Sequence, residues 1–177
     1  IVTIRGELPK NISFMYTTSY SLSGKPSTEF IYRFEKADII FNSDTTDGHF
    51  IAYFKSGEVV DYGNPNTKEE RTRKMFTMMR SVRDSSVEIP CKISTVIPHL
   101  KVCNGLFEFC DLHVLDQEYL VKMEEPYGVS GHSCINDDLY EAYEAGKLPS
   151  ELGFAWSRPA VEFSPDSIEY FSGEKYK

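Results

Sequence analysis

A chain of 177 residues fits one domain with enough apolar surface to fold without a metal or a dense disulfide frame. Its 41 % apolar, 14 % aromatic and 26 % charged residues exclude a disordered composition. The formal charge of −8, from 27 acids against 19 bases, argues against a nucleic-acid surface and makes a basic partner the expected one.

Ile1 is not Met, and no charged segment leading into an apolar one stands at the start, so the expectation is a processed product or a piece of a longer chain. No apolar run is long enough to cross a membrane. Asn11-Ile12-Ser13 is the one N-glycosylation sequon, which makes Asn11 a glycosylation candidate and adds slightly to a secreted reading. Phe30 to Glu35 alternates like a strand and Ala37 to Phe41 continues in extended character. Asp47-Gly48 predicts the turn of a hairpin onto His49 to Lys55. Thr67-Lys68-Glu69-Glu70 is a capping box that opens a helix, and Met75, Phe76, Met78, Met79 and Val82 follow as a stripe expected to pack on a sheet.

From Asp84 to Ile89 the pattern alternates again. As a strand it turns Ser85, Val87 and Ile89 to the core and leaves Asp84, Ser86 and Glu88 on an open face. Carboxylates on such a face steer a basic partner and accept charge-assisted bonds from Lys or Arg. Leu106 to Leu115 and Tyr119 to Met123 read as two more strands, and Glu124-Glu125-Pro126-Tyr127-Gly128 as a strand end and turn. A second helix is expected from Asn136, with Asp137 and Asp138 at its positive end, an Ile135–Tyr140 staple, and Gly146 and Pro149 as its stop. Ala160 to Phe163 and Ser167 to Phe171 close the domain as strands. The expected fold is mainly β, a two-sheet β-sandwich with two short helical insertions in a single domain over residues 1–177.

Four cysteines, Cys91, Cys103, Cys110 and Cys134, suit two disulfides with three connectivities open. Cys103, Cys110 and His113, with His132 and Cys134, are an alternative zinc set, but no close Cys-Cys knuckle is present. Gly128-Val129-Ser130-Gly131 falls one residue short of a nucleophile elbow, and phosphate-binding glycine loops are absent. A Cys–His pair, such as Cys134 with His99 or His113, is the remaining catalytic alternative. No motif calls for a cofactor, and the expectation is a non-enzymatic chain.

The order of several weak motifs resembles the poxvirus secreted chemokine-binding β-sandwich family. This family includes the free-standing viral CC-chemokine inhibitors and the SECRET domain attached to viral TNF-receptor homologues. The matching pieces run from Asp47-Gly48 and Thr67-x-Glu69-Glu70 to Val87-Glu88-Ile89-Pro90-Cys91. They continue with Cys103 ahead of Leu106-Phe107-Glu108-Phe109, then Pro126 to Gly131 and Asp137-Asp138-Leu139. The resemblance implies a sandwich whose exposed sheet face binds host chemokines and blocks their receptors. It implies Asp84 and Tyr127 as partner contacts, Glu88 beside them, and Tyr20 as an N-terminal contact. The acid-free stretch Lys10 to Lys25 lacks the acidic loop of the free-standing inhibitors and favours the SECRET type. That type implies secretion, and contact with TNF through an upstream domain outside this chain. A same-fold domain with an MHC or glycosaminoglycan client is the alternative.

Overall fold

The computed structural model describes residues 1–20, 27–90, 92–122, 130–131 and 133–170. The chain divides into two compact units, Ile1–Lys25 with Val96–Lys177, and Pro26–Thr95. In sequence, the second unit is inserted into the first. The first unit opens with a hairpin of β1 (Val2–Leu8) and β2 (Ile12–Thr18). Gly6 stands opposite Phe14, and a Cβ there would lie 2.7 Å from the Phe14 ring, so only glycine lets that ring cross the neighbouring strand. Lys10 and Asn11 turn the tip with φ of 69° and 56°, a conformation Asn adopts more readily than Lys.

In the second unit, β3 (Glu29–Arg33), β4 (Ala37–Asn42), β5 (Phe50–Phe54) and β6 (Val59–Asp61) form an antiparallel sheet in chain order. Phe30, Phe41 and Phe50 are directly opposed across three strands, with ring centroids 5.6 Å and 4.9 Å apart between neighbours. Tyr32, Ile39, Ala52 and Val60 form the next opposed row, which the pleat puts on the same face. The expected hairpin is present. Asn42 Oδ1 accepts from the Asp44 and Thr45 amides at 2.8 Å and 3.0 Å, and Asp47 and Gly48 take positive φ to bring the chain back.

Helix α1 (Lys68–Arg83) starts where the capping box predicts, with Thr67 accepting from the Glu70 amide. Its apolar stripe does not pack. Met75, Phe76, Met78, Met79 and Val82 are 52 to 87 % exposed, and α1 buries no residue. The expected strand from Asp84 to Ile89 is absent as well. Asp84 ends α1 in extended conformation and donates its amide to the Arg80 carbonyl, and the chain turns at once through Val87 N–H to Asp84 C=O.

Beyond it, α2 (Ile93–Phe109) occupies residues that include the first half of the expected strand Leu106 to Leu115, and its remainder is loop. Gly105 is buried because the Phe163 ring lies where its Cβ would be, and Phe163 also stacks on Phe109 at 5.4 Å. Of the expected strand Tyr119 to Met123, Tyr119 ends a short 3-10 turn, Val121–Lys122 forms β7, paired with β8 (Ser130–Gly131), and Met123 lies outside the described residues. Helix α3 (Ser133–Ala145) begins three residues before the expected start. Ile135, Leu139 and Ala142, at i, i+4 and i+7, are its buried face, so Ile135 is a core residue and no staple to Tyr140, which is exposed. The helix ends as expected: Gly146, at φ 63°, donates to Tyr143 C=O and Lys147 donates to Ala142 C=O.

Ile135 and Leu139 join Trp156, with Leu115, Tyr119 and Phe154 packed around them. Trp156 Nε1 donates to Asp138 Oδ2 at 2.6 Å, which gives this buried indole the acceptor it needs. Residues 160–163 form no strand, and Ser167 ends a 3-10 turn begun at Pro165. Phe171 lies outside the described residues. The architecture is therefore a mixture of antiparallel strands with helices of 16, 17 and 13 residues, in place of a mainly β chain with two short insertions.

Candidate functional site

Three of the expected contact residues sit in one short segment at the end of α1. Asp84 Oδ1 accepts from the Ser86 amide at 2.9 Å and from Ser86 Oγ at 2.6 Å. The hydroxyl bond, then the amide bond, hold the Asp84 carboxyl below the ordinary aspartate range. Asp84 and Ser86 thus form one unit, an oriented and ionised carboxylate at the surface. Glu88 Oε1 lies 3.4 Å from Lys92 Nζ, a loose exposed pair. Exposure still alternates here, with Val87 and Ile89 half-buried between exposed Ser86, Glu88 and Pro90, but a turn produces it and not a sheet. Ser85 is exposed, against the expected inward position. Arg80 and Arg83 occupy the last turn of α1, so the surroundings of Asp84 carry both signs of charge.

Tyr20 belongs to the other unit and is 99 % exposed. Tyr127 and Cys91 lie outside the described residues, as does the side chain of Cys134. Cys103 carries a free thiol in place of the expected bridge, and its Sγ lies 3.6 Å from His99 Nε2 one turn earlier on α2. Cys103 and Cys110 are separated by two helical turns, about 10 Å of rise, which is too far for a bond between them. Each of the three two-disulfide connectivities uses Cys103, so with that thiol free none of them is present. Among the described residues no three His, Cys, Asp or Glu side chains converge as a metal site. Asn11 sits exposed at the β1–β2 tip, where a sequon is accessible to a transferase.

Other groupings escaped the sequence because their partners are distant along the chain. His49 Nδ1 donates to both Asp61 oxygens at 3.0 Å and 2.9 Å, and the Gly63 amide donates to Oδ1 at 2.7 Å. The Gly63 bond first and the His49 bond second hold the Asp61 carboxyl low. Arg5 grips Glu151 through two bonds of 2.7 Å, tying β1 to the turn after α3. Beside that turn an open cleft of about 500 Å³ is lined by Glu151, Phe154, Ser157 and Arg158. Arg158 Nη2 donates to His113 Nδ1 at 3.1 Å.

No family model, curated protein or solved structure matches the chain. An exposed aspartate fixed by a neighbouring serine can accept from Lys or Arg without reorienting, and a fully exposed tyrosine can cover an apolar stem. Among the described residues no helix is long and apolar enough to cross a membrane.

Proposed function

We propose that the chain is a secreted protein-binding module that captures basic partners. Chemokines are the partner class that the family resemblance implies, and receptor occlusion is the mechanism. The observation that supports it best is the Asp84–Ser86 unit, whose carboxylate stays ionised and oriented on the surface. Glu88 adds charge two residues on, and the excess of 27 acids over 19 bases favours approach of a cation-rich protein. Tyr20 and Tyr127 are the aromatic contacts of the proposal. The two-sheet sandwich that the resemblance implies belongs to the proposal too. Attachment to an upstream TNF-binding domain is the further part.

Surface plasmon resonance against a panel of basic chemokines tests the reading. Binding at or below micromolar concentration is expected, with Asp84→Asn weakening it about tenfold and Glu88→Gln mainly slowing association. Silence across the panel at micromolar concentration overturns it. Retention on heparin, or binding to an MHC ectodomain with no chemokine bound, transfers the module to another client.

A second reading has one observation in its favour, the 3.6 Å approach of Cys103 Sγ to His99 Nε2. Such a pair is the minimal arrangement of a thiol nucleophile and its base. Iodoacetamide labelling at Cys103 that slows in His99→Gln supports it. A Cys103 inert to alkylation in the native protein removes it.

A further inference from the structure

We propose that His99 and Cys103 form a two-ligand site on α2 for a borderline-soft divalent metal ion of the zinc type, its remaining positions open to water or an added ligand. This goes beyond the binding function above and does not depend on it. It also differs from the thiol–base reading of the same pair, because a bound metal takes up the lone pairs that reading needs.

Both residues lie in the interior of α2, more than one turn from either end of Ile93–Phe109. At i and i+4 they share one face of the helix. Helical side chains lean toward the N-terminus, which carries the Cys103 thiol toward the turn that holds His99. Their donor atoms, Sγ and Nε2, stand 3.6 Å apart. An ion that binds thiolate at about 2.3 Å and imidazole at about 2.0–2.1 Å, with a tetrahedral angle between them, holds its two donors about 3.5–3.6 Å apart. The separation of the pair is thus already the bite that zinc requires. Cys103 is not spent on a disulfide. Its side is half-buried while His99 is exposed, so an ion can enter from solvent past the imidazole.

The donor set selects the class of ion. Thiolate and imidazole suit zinc and its transition-metal neighbours, whereas magnesium and calcium need oxygen ligands that this pair does not offer. Among the described residues no third His, Cys, Asp or Glu completes the set, so water or an added ligand fills the other positions, as in open zinc sites. On binding, the Cys103 thiol becomes a thiolate and its proton leaves to solvent, while His99 supplies the Nε2 lone pair as neutral imidazole. Occupancy therefore rises with pH. The same 3.6 Å also suits an S–H···N hydrogen bond. The two uses part on one point, since only a metal-bound pair withdraws Cys103 from alkylation when the ion is added.

The test uses the full chain, reduced and freed of reductant, with zinc chloride as the probe. Iodoacetamide labelling is read peptide by peptide, so that Cys103 is followed apart from Cys91, Cys110 and Cys134. Micromolar zinc is expected to slow labelling of Cys103. His99→Gln should raise the zinc concentration for half protection at least about tenfold, since losing an outer-shell partner alone costs about 10- to 100-fold in affinity. Titration with cobalt gives a second readout. A thiolate-to-cobalt absorption band that both Cys103→Ser and His99→Gln abolish supports the site. Protection that survives unchanged in His99→Gln overturns it, as does equal protection by magnesium. Labelling of Cys103 that zinc leaves unchanged overturns it too. Should Cys103 resist iodoacetamide without any metal, the cobalt band decides, and its absence from the wild type overturns the site.

Discussion

Helices α3 and α1 carry apolar stripes of similar strength, yet their surroundings are opposite. In α3, Ile135, Leu139 and Ala142 are all but sealed, and Trp156, Leu115 and Phe154 close over them. In α1, Met75, Met78, Met79 and Val82 meet solvent. The charges are opposite too. Acids alone decorate α3, at Asp137, Asp138, Glu141 and Glu144, while bases dominate α1. An amphipathic pattern therefore specifies that a helix has a face to bury, and leaves open whether its own unit supplies the cover.

The widest gap is expected in stability. Ile135→Ala should cost about 3 kcal/mol, because a fully buried side chain leaves a cavity its neighbours fill only in part. Met79→Ala should stay within about 0.5 kcal/mol, as surface substitutions do. Urea titration followed by circular dichroism gives both numbers. Equal losses at the two positions would erase the contrast and place α1 in a core.

Next in size is the indole bond at the heart of the α3 core. Trp156→Phe keeps most of the apolar contact but strips Asp138 of its 2.6 Å donor in a half-buried site, for an expected loss of about 2 kcal/mol. As Trp156 is the only tryptophan, its fluorescence in the wild type follows the unit of Ile1–Lys25 and Val96–Lys177 alone. Transitions by fluorescence and by circular dichroism that fail to coincide would show that the two units melt separately.

Gly105→Ala is the third test and sets two effects against each other. Alanine favours a helix interior by about 1 kcal/mol, but its Cβ would enter the Phe163 ring. Overpacking of this kind costs about 1–3 kcal/mol, so a net loss is expected. Net stabilisation would mean that Phe163 moves away freely and that its packing on Gly105 and Phe109 is slight.

How far the sequence foretold this structure depends on the range of each signal. Thr67, Gly146 and the Asp47-Gly48 turn act within a few residues, and each holds its expected place. The helix α2 went unread because β-branched and aromatic residues crowd it and Pro98 and Gly105 look like breakers. Yet Ile93, Ile97 and Leu100 repeat at helical spacing, and that was the available signal. The alternation from Asp84 to Ile89 misled in the other direction. It described exposure correctly from Ser86 to Pro90 and the backbone wrongly, because an aspartate bonding its own neighbour favours a turn over a strand. Pairs such as Arg5–Glu151 lie 146 residues apart, where local pattern says nothing.

The smallest expected effect separates two carboxylates that look alike. Asp84 and Asp61 both stay charged below the ordinary aspartate range, so each favours the folded state above that range. The contribution fades as pH falls through the lowered folded value, so its loss belongs to acid below about pH 4 and not to neutral pH. Their anchors differ. For Asp84 the larger support is the Ser86 hydroxyl, so Ser86→Ala should return most of its titration toward the ordinary value. For Asp61 the larger support is the Gly63 amide, which no side-chain change removes, so His49→Ala should return only the lesser part. Carboxyl-carbon NMR titration of the two variants reads both midpoints. If His49→Ala restored Asp61 fully, the backbone bond would be carrying nothing, and the turn at Gly63 would be looser than its 2.7 Å contact implies.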